Sequence, residues 1–509
     1  MIQTLISLLI VLLLWVMAWH LRSVKARQAL LLVASYAFYS SWGIGFLCVL
    51  IISSLINYVC GLALRRKVTA ARLWIGIALN LLLLGFFKYL PPLLEAGPAG
   101  SWQYDLARHI LMPVGMSFWT FQGLSYLWDI YLEEEVDPSL LEFCLYMAFW
   151  PTVFSGPVCR LPNMLPQFRQ EPVFSSSDIS VGALRLVQGL FMKMFLAQLL
   201  GSGWSPGAGV AAGFDQVKSG WGGIDVWLLG MGFGFLLFFD FAGYSHMVIG
   251  TSRIFGIRLP ENFDRPFLST TPSVFWTRWH MSLSFWIRDY VFKPLAATRR
   301  DPWWPYVVLV ISMTLFGLWH GAKWTFIVFG VYHGLLLVIH RLGQQTKRRL
   351  SIRLPRYLGV FLAWGITFLL VSLGYVIFRA HDLTQVLLML RSVFSPGAYR
   401  HFAMPRNFYL LTSAVAIGYF VFTAGCSWLH YWRARYNETI SKRAEPVGGF
   451  RRVTFSSFTL VIGALFDFFA TRLWWWFAPA VSIIAVCVGL AFYTQRAVIA
   501  VTPFIYTLF

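Results

Sequence analysis

Three histidines stand in or beside apolar runs, where a titratable side chain needs a reason: His280 in RWHMSLSFWIRDY, His320 in TLFGLWHGAKWTF and His333 in FGVYHG. An ionisable residue in such a setting is a functional candidate by default. Imidazole titrates near pH ~6.5, so it can take and return a proton under physiological conditions. His320 has the strongest context. It ends an apolar run directly before Gly321, where backbone can approach a substrate closely. The competing reading for all three is a histidine that hydrogen-bonds a neighbouring helix, and it is strongest for His333. His20, His109, His340, His381, His401 and His430 fall near expected helix ends or in loops, where a structural histidine is ordinary. No GxSxG elbow is present, so a covalent serine relay is not expected. Cys48, Cys60, Cys144, Cys159, Cys426 and Cys487 form no CxxC pair and read as small buried hydrophobes, with neither a zinc site nor a disulfide framework.

The stretch 252–305 must position these groups, and it is unlike the rest of the chain. Arg253, Arg258, Arg265, Arg278, Arg288, Lys293, Arg299 and Arg300 alternate there with Glu261, Asp264, Asp289 and Asp301 and with many aromatic residues. Such a mixture cannot face lipid tails as a simple spanning helix. It can lie at the interface, or fold back inside a bundle and line a wet cavity. The second arrangement is expected. A spacing of four predicts that Trp276, His280, Ser284 and Arg288 share one helical face.

Around that stretch the chain is apolar. Of its 509 residues, 58% are hydrophobic and 12% charged, against about 25% charged in soluble domains. Runs such as Ile2–Trp19 and Leu358–Val376 approach the roughly 20 residues that cross a bilayer as a helix. Alternating segments of a β-barrel are not seen. The fold class expected is all-α and polytopic. Helices are predicted near 2–20, 28–41, 44–64, 73–90, 140–155, 181–200, 225–250, 306–320, 324–340, 357–378, 407–429 and 458–493, the last long enough to divide in two. The net charge of +20 would suggest nucleic acid in a soluble protein. Here it gathers in short loops: Arg65, Arg66, Lys67 and Arg72; Arg341, Lys347, Arg348, Arg349, Arg353 and Arg356; Arg433, Arg435, Lys442, Arg443, Arg451 and Arg452. The positive-inside rule puts all three clusters in the cytoplasm. Arg22, Lys25 and Arg27 follow the first apolar run, which predicts an uncleaved first helix with its N-terminus outside.

Four ordered segments resemble the membrane-bound O-acyltransferase family: FFDFAGYSHMVIG, LPENFDRPFL, FWTRWHMSLSFWIRDYVF and GLWHGAKWTFIVFGVYHG. MPVGMSFWTFQGLSYLWDIY and FWPTVFSGPVCRLPNMLPQF are similar to the segments that precede that core, and GYVIFRA and the terminal FIYTLF to bacterial alginate-type O-acetyltransferases. The resemblance implies one membrane domain over 1–509, with N-terminal helices at 1–100, a catalytic core at 101–345 and C-terminal helices at 346–509. It implies a ring-like bundle of about 11–13 spanning helices with re-entrant or interfacial helices, pierced by a tunnel.

By the same resemblance His320 matches the family's essential histidine and His280 a second polar position of the core. The donor is a cytoplasmic thioester, acetyl-CoA or an acyl carrier, with no bound cofactor or metal. The acceptor is a hydroxyl of an exported polysaccharide, a periplasmic partner protein assists, and the setting is a bacterial cytoplasmic membrane. Arg278, Ser284, Arg288, Asp289, Trp319 and Asp240 are the candidates for donor or substrate contact. His246 departs from the family pattern, which has an acidic or amide residue there, and reads as a surface or helix-packing residue. Two branches remain open. The whole-chain architecture resembles the acetyltransferases, whereas the core is also similar to the D-alanyl transferases of the teichoic-acid pathway. A transporter is the alternative of another class, and the chain has no internal repeat to support it.

Overall fold

The computed structural model describes residues 23–444 except 133–135, 172–175, 204–207, 216–219 and 351–354, together with a few residues between 14 and 21. The helix expected at 458–493, the FIYTLF end, Arg451 and Arg452 lie outside the described residues, as does most of the helix at 2–20. Every regular element among the described residues is helical.

Fifteen principal helices carry the argument: α1 (Val24–Ser40), α2 (Ile44–Arg66), α3 (Ala70–Glu95), α4 (Met116–Tyr131), α5 (Leu140–Ala148), α6 (Leu161–Arg169), α7 (Ser177–Ser202), α8 (Gly223–Ile254), α9 (Pro272–Trp276), α10 (Met281–Ile287), α11 (Trp304–His320), α12 (Trp324–Leu350), α13 (Arg356–Arg379), α14 (Leu383–Phe394) and α15 (Arg406–Ala444). Seven stretches among the described residues are long and apolar enough to cross a membrane: α2, α3, α7, α8, α13, and the segments Trp324–Gln345 of α12 and Arg406–Gly425 of α15. Most show a broad face to their surroundings, with 22% to 39% of the apolar window buried, but α8 is 83% buried. A helix apolar all round belongs inside a bundle. Phe233–Ala242 of α8 pack into the C-terminal core, and Tyr244, Val248 and Ile249 into the N-terminal one, so α8 is the wall the two halves share.

Helices lacking a hydrophobic drive to associate in lipid come together through small residues. A Cβ on Gly243 would stand 2.8 Å from Gly189 O, and one on Gly250 2.6 Å from Gly182 O, which holds α7 against α8. In the α11–α12 hairpin, a Cβ on Gly317 would meet Phe326 O at 2.1 Å and one on Gly330 would meet Met313 O at 2.3 Å.

Polar contacts divide the described residues into two rims. At one, Arg65 pairs with Asp137, Arg169 with Glu142 and with Asp137 O, and Arg27 donates to Gln170 O and Phe255 O. Arg253 and Arg258 of the same rim share Asp178. At the other, Asp215 holds Arg379 and His381, and Asp225 accepts from Tyr409 Oη and Ala403 N–H. The run of α8 from Asp225 to Arg253 spans about 42 Å at ~1.5 Å per residue, enough to cross the roughly 30 Å hydrocarbon core and both its borders.

Four sequence expectations change. The helix expected over 140–155 ends at Ala148, because Pro151 disfavours helical backbone at Trp150. α4 was not among the expected helices; it is rich in Ser, Thr and Gln and almost wholly buried. Cys48 is exposed rather than buried. The single helix over Trp276–Arg288 is broken: α9 stops at Trp276, His280 adopts φ 42°, ψ 54° and α10 begins after it. Trp276 and His280 therefore do not share a helical face with Ser284.

Candidate active site

The interruption at His280 is what makes the site. Left-handed backbone at a non-glycine residue is uncommon and needs support from its surroundings. Here Met281 N–H donates to Asn262 O at 2.8 Å and Asp264 N–H to Arg278 O at 3.0 Å, tying the bend to the loop after α8. The chain thus dips into the bundle through Phe275, Trp276, Trp279 and His280, all buried, and climbs out through α10 to the half-exposed Arg288. The segment lies inside the bundle rather than along an interface.

His280 is 2% exposed. Its ring packs edge-on against Phe241, with centroids 4.7 Å apart. Nδ1 lies 3.2 Å from Asn262 Oδ1, which also accepts the Ser282 hydroxyl at 2.6 Å, while Asn262 Nδ2 donates to Ser245 Oγ at 3.1 Å. With Oδ1 as acceptor, the His280 proton sits on Nδ1 and Nε2 presents a lone pair. Nε2 is buried and makes no hydrogen bond among the described residues.

His320 is the last residue of α11 and is 5% exposed. Phe316, Trp319, Phe326 and Phe378 surround it at centroid distances of 5.0, 4.7, 6.0 and 4.9 Å. These rings come from α11, α12 and α13, so aromatic side chains of three helices pack around the imidazole. His280 and Lys88 are both close enough to act on His320 electrostatically. The two candidate catalytic histidines, 40 positions apart in the chain, are thus brought to one region.

The other candidates are distributed. Trp319 packs on Phe121 at 5.4 Å, beside His320. Asp289 anchors Arg160 at 2.9 Å, Arg288 at 2.9 Å and Lys293 at 2.8 Å, and the neighbouring Tyr290 donates to Asp129 at 2.6 Å. Arg278 is separate from that cluster and interacts with Tyr419. Ser284 Oγ donates to Trp279 O at 3.0 Å, so its hydroxyl is engaged by the preceding backbone. Asp240 is buried on α8 and paired with Lys193 at 2.5 Å. His333 is wedged among Trp276, Phe329 and Tyr332 and against Gly374. His246 faces the Arg185–Glu261 pair. A cavity of about 120 Å³ opens elsewhere, between Trp42, Trp150, Phe154 and Tyr244, and neither candidate histidine lines it. Sequence reasoning missed Asn262 and Lys88. The available signal for Lys88 was an ammonium set among apolar residues in GFFKYL, whereas Asn262, between Glu261 and Phe263 in LPENFD, stands in a polar turn and gave none.

The sequence profile of the membrane-bound O-acyltransferase family matches residues 118–368, a stretch that contains both histidines. The probable alginate O-acetylase AlgI of Pseudomonas aeruginosa is 36% identical over 393 residues, 75% of this chain and 72% of the relative. This chain belongs to the membrane-bound O-acyltransferase family. It is an acyltransferase with acetyl-transferring relatives: the peptidoglycan O-acetyltransferase of Helicobacter pylori is 31% identical over 394 residues, 71% of this chain and 73% of the relative. A teichoic acid D-alanyltransferase of Streptococcus thermophilus is 32% identical over 297 residues, 53% of this chain and 69% of the relative.

Proposed function

We propose that this O-acyltransferase moves an acetyl group from a cytoplasmic thioester, acetyl-CoA or a carrier-bound equivalent, to a hydroxyl of an exported polysaccharide. The observation that carries the acetyl assignment is extent: similarity to the named O-acetyl-transferring relatives runs over 71% to 75% of the chain. The D-alanyl reading keeps a specific support in the 32% identity to a teichoic acid D-alanyltransferase, over 53% of the chain.

In this reading His320 is the general base. It removes the proton as the acceptor oxygen attacks the thioester carbonyl carbon. A C–O bond forms, the tetrahedral intermediate collapses, the C–S bond breaks, and the imidazolium returns its proton to the leaving thiolate. The aromatic rings packed on His320 keep water away from it, which favours transfer over hydrolysis. His280, with Nδ1 engaged by Asn262, offers Nε2 as an acceptor and would orient an N–H of the donor or the acceptor hydroxyl. Arg288 and Lys293, gathered at Asp289, are the cationic groups available to an anionic donor at the mouth of the segment. A periplasmic partner and a bacterial cytoplasmic-membrane setting belong to the same proposal.

The donor assignment is tested with purified full-length protein in lipid. Thiol release from acetyl-CoA, or from an acetylated carrier protein, is measured beside release from a D-alanyl carrier thioester, with an oligosaccharide acceptor present. Acetyl turnover supports the proposal; turnover of the D-alanyl thioester alone replaces it with the second reading.

A further inference from the structure

We propose that Lys88 is a positioning residue for acyl transfer, clamping the C-terminal turn of α11 so that His320 is held in place; the proposal rests on His320 being the base. α11 ends at His320, and the last carbonyls of a helix have no partner within it. Two of the last carbonyls of α11 are reached by consecutive residues of α3, and one of these, Leu318 O, also accepts from Gly321 N–H at 3.0 Å. Tyr89 Oη donates to Leu318 O at 2.9 Å, and the Lys88 ammonium donates to Trp319 O. Lys88 also reaches Ser117 Oγ of α4 at 3.4 Å and lies over the Trp319 ring, 5.3 Å from its centroid. One side chain therefore joins α3, α4 and the residue immediately before His320.

The local backbone is built for this contact. α3 is interrupted by a π-helical turn over Gly85–Tyr89, and such turns are frequent at functional sites. A cation at the C-terminal end of a helix is also where the helix dipole favours it. A lysine in an apolar run is costly without compensation, and these contacts supply it. The ammonium acts through the end of α11, and it is close enough to reach His320 electrostatically as well.

The test is steady-state thioester turnover by full-length protein in lipid for Lys88→Met, Lys88→Arg, Tyr89→Phe and His320→Ala. Lys88→Met is expected to lower kcat roughly tenfold or more, the scale of a lost charge-assisted hydrogen bond, with the donor KM within twofold. Lys88→Arg, which keeps the cation, is expected to restore kcat to within threefold of the parent, and Tyr89→Phe to give a smaller loss than Lys88→Met. If Lys88→Met does not fold, Lys88→Gln is held to the same criteria. A kcat unchanged in Lys88→Met overturns the proposal, as does an equal loss in Lys88→Arg or a loss confined to KM. These outcomes, with His320→Ala inactive, overturn the role of Lys88 alone; a His320→Ala variant that turns over at the parent rate removes the base assignment and the clamp together.

Discussion

Asn262 Oδ1 accepts at once from Ser282 Oγ at 2.6 Å and from His280 Nδ1 at 3.2 Å, so one buried amide sets both the tautomer and the direction of the His280 ring. The amide is itself fixed, because Nδ2 donates to Ser245 Oγ on α8. Asn262→Leu removes the acceptor but keeps the volume. Turnover is expected to fall roughly tenfold, on the scale of a buried hydrogen bond whose partner is orphaned. Ser245→Ala, one step further away, is expected to lose less. Equal activity of Asn262→Leu and the parent would remove His280 orientation from the mechanism.

The two buried histidines of the α11–α12 hairpin should separate by function. His320→Ala is expected to lose at least ~10²-fold in turnover, the usual minimum for loss of a general base. His333, packed among Trp276, Phe329 and Tyr332, has aromatic surroundings and no assigned proton to move. His333→Ala should lower the unfolding temperature while turnover stays within about threefold, since a small cavity weakens packing without touching the reacting groups. Activity of His320→Ala within threefold of the parent would sink the base assignment.

The spanning helices were legible because lipid solvation demands long continuous apolar runs, and α2, α7, α8 and α13 carry them plainly. α4 was not, since a helix buried inside protein can hold Gln122, Ser125 and Asp129 as long as neighbours satisfy them. The break at His280 also escaped a reading of spacing. Four-residue periodicity continues through WHMSLSFW, and nothing in that pattern records that one residue turns left-handed under hydrogen bonds from a loop some 20 positions earlier. His280 and His320 could be singled out as candidates from residue type and context, but Asn262 and Lys88 could not, because their roles depend on contacts between distant segments.

Topology gives a third test. Arg65 is tied to the rim that contains Asp137, Glu142 and Arg169, and the second basic cluster lies mainly at the end of α12, with Arg356 opening α13. The positive-inside rule puts both in the cytoplasm. A cysteine at Gln345 should then resist an impermeant maleimide added outside intact cells. One at Asp382, just past α13 on the rim of Asp215, should react. Reversal of the two results would invert the orientation of the bundle.

Glu142 links stability to pH. Its carboxylate takes Arg169 Nε at 2.8 Å and Nη2 at 2.9 Å and caps α5 through Ser139 N–H at 2.7 Å. The Arg169 hydrogen bonds are the largest influence, and the carboxyl is pushed down to about 2. An unfolded glutamate titrates near ~4.3. The folded value is depressed, so the contribution is complete above the unfolded value and is lost as pH falls toward the folded one. Thermal unfolding in detergent should show the parent losing more stability between pH 6 and pH 3 than Glu142→Gln does. Parallel curves for the two proteins would mean that the pair contributes nothing to the acid limb.

Lys193 and Asp240 meet at 2.5 Å between α7 and α8, each side chain 7% exposed. Removing one partner of a buried ion pair leaves an uncompensated charge and typically costs about 3–5 kcal/mol, whereas replacing both with apolar residues of similar volume is often neutral. The surroundings here are close-packed: a Cβ on Gly243 would stand 2.9 Å from Lys193 N. If the pair only holds α7 to α8, Asp240→Leu should unfold at markedly lower temperature and Lys193→Met with Asp240→Leu should recover most of that loss, with thioester turnover recovering in step. If instead the carboxylate acts on substrate, stability would return in the double variant and turnover would not. Measuring both quantities on the same detergent preparation decides between them, and the structural outcome is expected because Asp240 is already bound by an ammonium on the neighbouring helix.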